Sequence, residues 1–199
     1  MSGDKEKLII DAARKRFAHY GFSKVTMDEI AADVNMGKAS LYYYFPTKEN
    51  LFRSVISEER KEFVNEIETI LQKNISASEK LREYVKKRLE YFQLLLNLGT
   101  LSVYSFFEIK PVFKKSFSEF EKQELTLLEK IINEGKKTKE FSSSLNKDTA
   151  KIILHVLQGL RCRILRNLKM GSLNDKEYKE LQKEMISATD IFVNGIKCQ

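Results

Sequence analysis

Apolar side chains recur at intervals of three and four residues along most of this 199-residue chain. That spacing places them on one face of an α-helix, whereas a strand would need alternation at every second residue. No alternating run lies between hairpin turns, and only two prolines interrupt the pattern. The sequence therefore predicts an all-α fold of about nine helices, the first of which runs from Asp4 to Tyr20.

Residues 26–48 contain the start and stop signals of two short helices joined by a tight turn. Thr26 and Glu29 match a capping box, in which each side chain bonds the other residue's backbone N–H at a helix start. Asn35 favours the left-handed conformation that ends a helix, and Pro46 stops the second helix. The pattern predicts a helix-turn-helix.

The second of these helices carries more polar and aromatic side chains than a small domain can bury. Leu41 and Phe45 are four residues apart and should face inward. The remaining side chains are small, basic or aromatic: Lys38, Ala39, Ser40, Tyr42, Tyr43 and Tyr44. This combination is typical of a helix that packs on one face and contacts DNA with the other.

Lys48 stands in the first turn of the helix that follows Pro46, for which Thr47 is the predicted N-cap. A cation there opposes the helix dipole, so local helix stability does not explain it. A bound phosphate would explain it, because backbone N–H groups and the ammonium could hold the anion together. A solvated lysine with a small destabilising effect is the alternative.

These residues resemble the tetracycline-repressor-like (TetR/AcrR) family of transcriptional regulators. The resemblance rests on Thr26, Ile30-Ala31, Leu41-Tyr42-Tyr43-Tyr44-Phe45, Lys48-Glu49 and Leu51, and upstream on Ile10-Asp11-Ala12-Ala13, Phe17 and Tyr20-Gly21-Phe22. It covers about the first quarter of the chain. It implies an N-terminal three-helix, helix-turn-helix DNA-binding domain over residues 1–48 and a larger helical bundle for ligand binding and dimerisation over 49–199.

The resemblance also implies that the second helix of the motif enters the major groove of a pseudo-palindromic operator. Tyr42, Thr47 and Lys48 would contact phosphates. The full set implied in DNA binding is Thr26, Met27, Lys38, Ala39, Ser40, Tyr42, Tyr43, Tyr44, Thr47 and Lys48.

Three positions depart from the family pattern without breaking the motif. Asn35 and Ala39 stand where glycine is frequent, and Gly37 stands where Ser or Thr is common. Because Gly37 has no capping hydroxyl, the helix that follows it is expected to be slightly less stable. The Ala39 side chain cannot hydrogen-bond a base, although its methyl group can touch a thymine methyl.

Aromatic and apolar residues concentrate between positions 81 and 128, where the resemblance implies a pocket for an unidentified small effector. A mainly apolar lining with a few polar groups favours a lipophilic molecule such as an acyl chain or a drug-like aromatic compound. Aromatic stripes at helical spacing are usually ordinary core packing, and this interpretation stays open beside the pocket. The predicted pocket residues are Phe92, Leu96, Tyr104, Phe107, Phe113, Phe117, His155 and Gln158.

The last two predicted helices suggest a homodimer. Both carry apolar stripes, which pack either within the chain or, as the resemblance implies, against their symmetry mates in a four-helix bundle. A dimer would read two half-sites, whereas one short helix reads few bases. The predicted interface residues are Leu157, Leu160, Ile164, Met185, Ala188 and Phe192.

Composition adds little to this prediction. The net charge of +7 is compatible with nucleic acid, yet residues 1–50 hold eight Lys/Arg against seven Asp/Glu. The excess of positive charge therefore lies mostly outside the predicted DNA-binding domain. A lysine-rich solvated surface explains it as well as nonspecific attraction to DNA does.

Other function classes find less support. No apolar run approaches the roughly 20 residues of a membrane span, and no phosphate loop or dinucleotide fingerprint is present. His19 and His155 lie far apart, so no enzyme, metal or cofactor is expected. Cys162 and Cys198 are expected to be free thiols in a reducing cytoplasm, with a redox switch as the alternative. A helical protein–protein adaptor without sequence-specific DNA binding remains the rival function.

Overall fold

A computed structural model describes the backbone of residues 2–98, 103–167 and 175–198, and the side chains of residues 3–98, 117–162 and 176–198. The described backbone folds into eight α-helices, which confirms the all-α prediction. They are α1 (Ser2–Tyr20), α2 (Met27–Asp33), α3 (Lys38–Tyr44), α4 (Lys48–Gln72), α5 (Ala77–Asn97), α6 (Val103–Lys137), α7 (Thr149–Asn167) and α8 (Asp175–Ile196).

The described backbone holds eight helices, close to the predicted number of about nine. A proline often marks the start of a helix, but α6 runs without interruption through Pro111, from Val103 to Lys137. A proline removes one backbone donor from a helix, and here the turns on both sides continue the helix past that missing bond. The aromatic segment before Pro111 and the helix after it are therefore one element.

The helix-turn-helix region, α1 to α3, is built as the sequence predicts. Ile9, Ala13 and Phe17 of α1 are fully buried, and they form the inner stripe of that helix. Gly21 follows α1 with a φ of +78°, a left-handed conformation in which a side chain would be strained. Phe22 then packs against the Phe17 ring, with the two centroids 5.6 Å apart.

The helix α4 joins this region to the C-terminal bundle, α5 to α8. It packs against α1 and also against α5 and α6, while α8 packs on α5 and α7. One continuous set of buried apolar residues extends from Ile9 to Ile196. The two regions therefore share a core, and α4 belongs to both.

None of the helices within the described ranges is long and apolar enough to span a bilayer. Among the described side chains, no three His, Cys, Asp or Glu residues gather in a way that could hold a metal ion. Cys162 and Cys198 are both exposed and both free.

Candidate DNA interface and effector-binding core

The helix α3 is held by two apolar anchors at its C-terminal end. Leu41 and Phe45 are buried, as their spacing predicts. The turn before α3 places Asn35 at a φ of +52°, the left-handed conformation that its side chain tolerates. Gly37 is the N-cap and makes no side-chain bond, which leaves the start of α3 without a capping hydroxyl.

The opposite face of α3 lies on the protein surface. Tyr43 is the most exposed of its aromatic residues, at 83%. Seven of the ten residues predicted to bind DNA are exposed here and at the neighbouring helix starts: Thr26, Lys38, Ala39, Ser40, Tyr42, Tyr43 and Thr47. These side chains form the candidate DNA interface.

Three of the predicted residues are not exposed: Met27, Tyr44 and Lys48, of which Lys48 is described below. The Met27 side chain is buried in the core, so it presents no side chain to DNA. Tyr44 is half-buried and packs edge-on against Tyr43, with ring centroids 5.5 Å apart. Tyr44 therefore supports the position of Tyr43 as well as facing the surface.

An ion pair joins the two helices of the motif. The Lys38 ammonium donates to the Asp28 carboxylate at 2.9 Å, and the hydrogen bond raises the pKa of Lys38. The two side chains are 62% and 60% exposed. A pair this exposed contributes little to stability, so DNA can compete for the lysine at a small energetic penalty.

The N-terminus of α2 is closed by the predicted capping box. The Thr26 hydroxyl accepts from the Glu29 N–H at 3.3 Å, and the Glu29 carboxylate accepts from the Thr26 N–H at 2.8 Å. These bonds from Thr26 hold the pKa of Glu29 below its ordinary value. At the start of α4 the Thr47 hydroxyl accepts from the Asn50 N–H, which leaves the hydroxyl proton available to a phosphate.

Lys48 has a role that neither sequence interpretation included. Its ammonium donates to the backbone carbonyls of Phe22 and Val25, each at 2.9 Å. It also lies 4.5 Å from the centroid of the Phe22 ring, which is within cation–π range. Lys48 therefore clamps the start of α4 to the loop between α1 and α2, and it is not simply a solvated lysine.

A buried ionic cluster lies in the C-terminal bundle. Glu124 of α6 accepts from Arg88 of α5 through both oxygens, at 2.6 and 3.2 Å. The Tyr84 hydroxyl donates to the same carboxylate at 2.8 Å. Burial and the charge of Glu124 raise the pKa of Tyr84, and Glu124 outweighs burial to raise the pKa of Arg88. The phenol and the guanidinium therefore keep their protons.

Two further arginines lie against aromatic rings around this cluster. The guanidinium carbon of Arg60, on α4, is 4.9 Å from the centroid of Phe117 and 5.3 Å from that of Phe120. The guanidinium carbon of Arg161, on α7, is 5.4 Å from the centroid of Phe92. Four helices thus bring cations and aromatic faces together at the centre of the bundle.

The predicted pocket residues separate into three groups. Phe92 and Leu96 are buried, and Phe117 and Gln158 are partly buried. Three others lie on α6 with side chains outside the described residues: Tyr104, Phe107 and Phe113. His155 lies apart from the buried members of this set, because its side chain is 50% exposed and lies 3.7 Å from the Glu121 carboxylate. The core stripe of α7 passes through positions 153, 154 and 157, which turns position 155 outward.

The residues predicted at the dimer interface differ in how far their side chains are buried. Leu157 and Met185 are buried within their own chain and present no side chain to a partner, which corrects the prediction for these two. Leu160, Ala188 and Phe192 are partly buried, and the Ile164 side chain lies outside the described residues. Among the described side chains of these two helices, four large apolar ones are exposed: Ile152, Val156, Ile186 and Ile191.

Sequence reasoning missed the buried ionic cluster, although a signal for it was present. Arg88 lies four residues after Tyr84 and within the apolar stripe of α5. Glu124 is four residues after Phe120, and Arg161 is four residues after Leu157, so both charges occupy positions of the inner face. A charged residue in such a stripe indicates either a buried pair or a ligand contact.

Comparison with known families assigns both parts of the chain. The family model for bacterial regulatory proteins of the tetR family matches residues 9–55. The family model for the C-terminal region of YsiA-like protein matches residues 56–177. The second match alone covers more than half of the 199 residues.

Individual relatives agree with these matches. A crystal structure of a transcriptional regulator from Cytophaga hutchinsonii ATCC 33406 is 43% identical, with a TM-score of 0.91 over 98% of this chain and 99% of that chain. The fatty acid metabolism regulator protein of Bacillus subtilis is 24% identical over 94% of this chain and 93% of that protein. The uncharacterized HTH-type transcriptional regulator YhgD of Bacillus subtilis is 30% identical, over only 52% of this chain and 59% of that protein.

Proposed function

Because this chain belongs to the TetR family of DNA-binding transcriptional regulators, which are not enzymes, we propose that it is a homodimeric repressor released from a pseudo-palindromic operator by a small lipophilic effector. The exposed face of α3, held in place by Leu41 and Phe45, is the observation that carries this proposal. Residues 35–48 include two lysines and no acidic residue, so this face suits a polyanion.

The exposed side chains divide by the part of the DNA that they would contact. Tyr42 and Thr47 lie at the edges of α3 and α4, where they would position the protein on phosphates. Lys38 and Ser40 lie in the first turn of α3, where they would meet base edges. Replacing Tyr42 by Ala should weaken binding to DNA of any sequence, and replacing Ser40 by Ala should change the base preference.

Lys48 would act on DNA in two ways. Two of its three N–H donors bond the Phe22 and Val25 carbonyls, which leaves one for a phosphate. Its clamp also holds the start of α4 against the loop between α1 and α2. A Lys48→Ala variant should therefore lose both operator affinity and thermal stability, whereas Tyr42→Ala should lose affinity alone.

The proposed dimer uses the outer faces of α7 and α8. Ile152, Val156, Ile186 and Ile191 leave apolar surface in water, and Ile191 is 72% exposed. Exposed apolar residues on neighbouring helices are typical of a surface that pairs with another copy. An Ile152→Ser, Ile191→Ser double variant should sediment as a monomer and bind single half-sites weakly.

The proposed effector is lipophilic because the core of the bundle offers aromatic and aliphatic surface around Phe92, Leu96 and Phe117. The relative whose name is fatty acid metabolism regulator supports an acyl chain as the first class to test. That relative is 24% identical, so it suggests a class of ligand and not a specific compound.

The helix α4 provides a physical route between effector and operator. It begins at the Lys48 clamp beside α3 and carries Arg60 into the bundle, about 18 Å further along at 1.5 Å per residue. An effector that displaces Arg60 or its aromatic neighbours would tilt α4 and change the spacing of the two α3 helices in the dimer. A coupling of about 1–3 kcal/mol gives a 5- to 150-fold change in operator affinity.

Selection of bound sequences from a random duplex pool tests the proposal. The purified protein is expected to enrich a pseudo-palindrome, with affinity that falls steeply as salt increases. The enriched site placed over a promoter should then reduce transcription in vitro. Binding that survives high salt and shows no sequence preference would contradict the proposal and favour the adaptor function.

A further inference from the structure

An acidic side chain lies beside the candidate DNA interface and is paired with one of its cations. Asp28, in the first turn of α2, accepts from the Lys38 ammonium of α3 at 2.9 Å. Both side chains are exposed. A carboxylate at this place repels the phosphates of DNA, so attraction to a polyanion does not explain it.

The two other acidic residues of α2 are bonded elsewhere. The Glu29 carboxylate accepts from the backbone and the hydroxyl of Thr26 in the capping box. Arg16 of α1 pairs with Glu29 and with Asp33. These contacts close the start of α2 and hold it against α1. Asp28 is the acidic residue of α2 whose carboxylate pairs with α3 instead.

Local helix stability explains Asp28 but not Lys38. An acid in the first turn suits the positive end of the α2 dipole. Lys38 is the first residue of α3, where a cation opposes the dipole of its own helix. The hydrogen bond to Asp28 compensates for this position, and the bond raises the pKa of Lys38.

The Lys38 ammonium is held between two groups. Asp28 lies on one side, and the centroid of the Tyr42 ring, one turn further along α3, is 6.0 Å from the ammonium nitrogen. A lysine side chain is otherwise flexible, so these contacts restrict the positions of its charge. One of its three N–H groups bonds Asp28, which leaves two for DNA. Two donors match the O6 and N7 acceptors that guanine presents in the major groove.

We propose that Asp28 is a specificity-determining positioning residue, which holds the Lys38 ammonium so that its two remaining N–H groups bind O6 and N7 of a guanine in the operator. This inference rests on the operator binding proposed above, and it adds how one base is selected. On other DNA, Lys38 can exchange Asp28 for a phosphate, but the exchange leaves the carboxylate unpaired beside a polyanion. Asp28 therefore lowers the affinity for nonspecific DNA and raises the preference for the operator.

An Asp28→Asn variant tests this role. Fluorescence anisotropy measures its binding to the selected operator and to a duplex of the same base composition in shuffled order, over a series of salt concentrations. The affinity for the shuffled duplex should rise at least threefold, and the ratio of operator to shuffled affinity should fall at least fivefold. The salt dependence on the shuffled duplex should steepen by about 1 in slope for each protomer, because Lys38 then neutralises a phosphate.

Glu49→Gln is the matched control for the change in charge. Glu49 is exposed and is the second residue of α4, as Asp28 is the second residue of α2, so each substitution removes one carboxylate from a first helical turn. Glu49→Gln should change the affinities for both duplexes by the same factor and leave their ratio unaltered. An equal fall of the ratio in the two variants would show that charge alone is responsible, and this would overturn the inference.

A double-mutant cycle with Lys38→Met tests whether Asp28 acts through the lysine. Asp28→Asn should leave the affinity ratio unchanged when Lys38 is already Met. Selection from a random duplex pool should show that the two single variants lose base preference at the same guanine. An effect of Asp28→Asn that is equally large without the lysine, or a loss of preference at different positions, would contradict the positioning role.

The wild-type selection separates this inference from the proposed function. If the wild type enriches no sequence, the proposed operator binding is contradicted and the inference is overturned with it. If the wild type enriches an operator and Asp28→Asn keeps the same affinity ratio, only the inference is overturned. A fall in the ratio for Asp28→Asn but not for Glu49→Gln supports both.

Discussion

The helix-turn-helix region and the C-terminal bundle each contain a two-pronged arginine–carboxylate ion pair, exposed to solvent in the first and buried in the second. Arg16 of α1 donates to Asp33 of α2 at the protein surface, through Nε and, at 2.7 Å, through Nη2. Arg88 of α5 binds Glu124 of α6 in the same two-pronged way, but within the core. Both pairs join one helix to another, and only the second is removed from water.

This difference determines what each region can do with its charges. Water already screens the surface pair, so its loss is mild and nearby cations remain free to exchange partners with DNA phosphates. In the bundle the Arg88 and Glu124 side chains are almost fully shielded from solvent, so each charge must be met by another group. The first region is therefore suited to reversible contact with a polyanion, whereas the second holds its buried charges in fixed pairs.

The largest expected effect comes from breaking the buried pair. Glu124→Gln would leave Arg88 without its counter-charge, and the free energy of unfolding should fall by about 3–5 kcal/mol. Urea denaturation followed by circular dichroism measures this change. Glu121→Gln, at an exposed position of the same helix, should change stability by less than about 0.5 kcal/mol. Similar losses in the two variants would show that burial does not distinguish them.

Capping provides a matched comparison, because the same capping box begins α2 in one region and α5 in the other. Thr26→Ala and Ser76→Ala should each lower stability by about 1 kcal/mol, since each removes the bond to an N3 backbone N–H. Only Thr26→Ala should also weaken operator binding in a mobility-shift titration. Loss of operator affinity in Ser76→Ala would contradict the assignment of the DNA interface to the first region.

Breaking the surface pair should have a smaller effect. Asp33→Asn is expected to lower stability by less than about 1 kcal/mol, because the pair with Arg16 lies at the surface and is screened. The loss should shrink further when the unfolding experiment is repeated in 1 M salt. A loss as large as that of Glu124→Gln would show that the two environments are equivalent.

The carboxylates of the two capping boxes, on Glu29 and Glu79, should make the stability of the protein depend weakly on pH. Bonds from Thr26 and Ser76 lower the pKa values of Glu29 and Glu79 from their ordinary value of 4.5. A lowered folded-state pKa stabilises the protein above the unfolded value, and that contribution disappears as pH falls through the folded value. A Glu29→Gln, Glu79→Gln double variant, which removes the two titrating carboxylates, should therefore lose less stability than the wild type between pH 5 and about pH 3, measured by thermal unfolding. An identical pH profile would contradict the capping origin.

The smallest expected effect on stability comes from Tyr43→Ala, which removes a side chain that is 83% exposed. The free energy of unfolding should change by less than about 0.5 kcal/mol. Operator affinity should nevertheless fall, and Lys24→Ala, at an exposed position outside α3, is the control for nonspecific loss of surface. Retained operator affinity in Tyr43→Ala would remove this residue from the DNA interface.

Local features of the chain were determined by the sequence itself. The capping box of Thr26, the left-handed turn at Asn35 and the buried anchors of α3 all depend on groups within about four residues of one another. Interactions over that range are present as soon as a helix forms, so residue order is sufficient to predict them. The TetR resemblance in the first quarter of the chain rests on the same local features.

Only the tertiary structure decided which distant groups meet. Lys48 reaches carbonyls 23 and 26 residues earlier, and Arg88 meets a carboxylate 36 residues later. Helical periodicity identified the apolar stripes of α7 and α8, but it did not say that Leu157 faces its own core while Ile191 faces outward. The 3.6-residue period of an α-helix determines which residues share one apolar face, so that face can be read from the sequence. Which neighbouring helix, or which partner chain, that face contacts depends on how the helices pack.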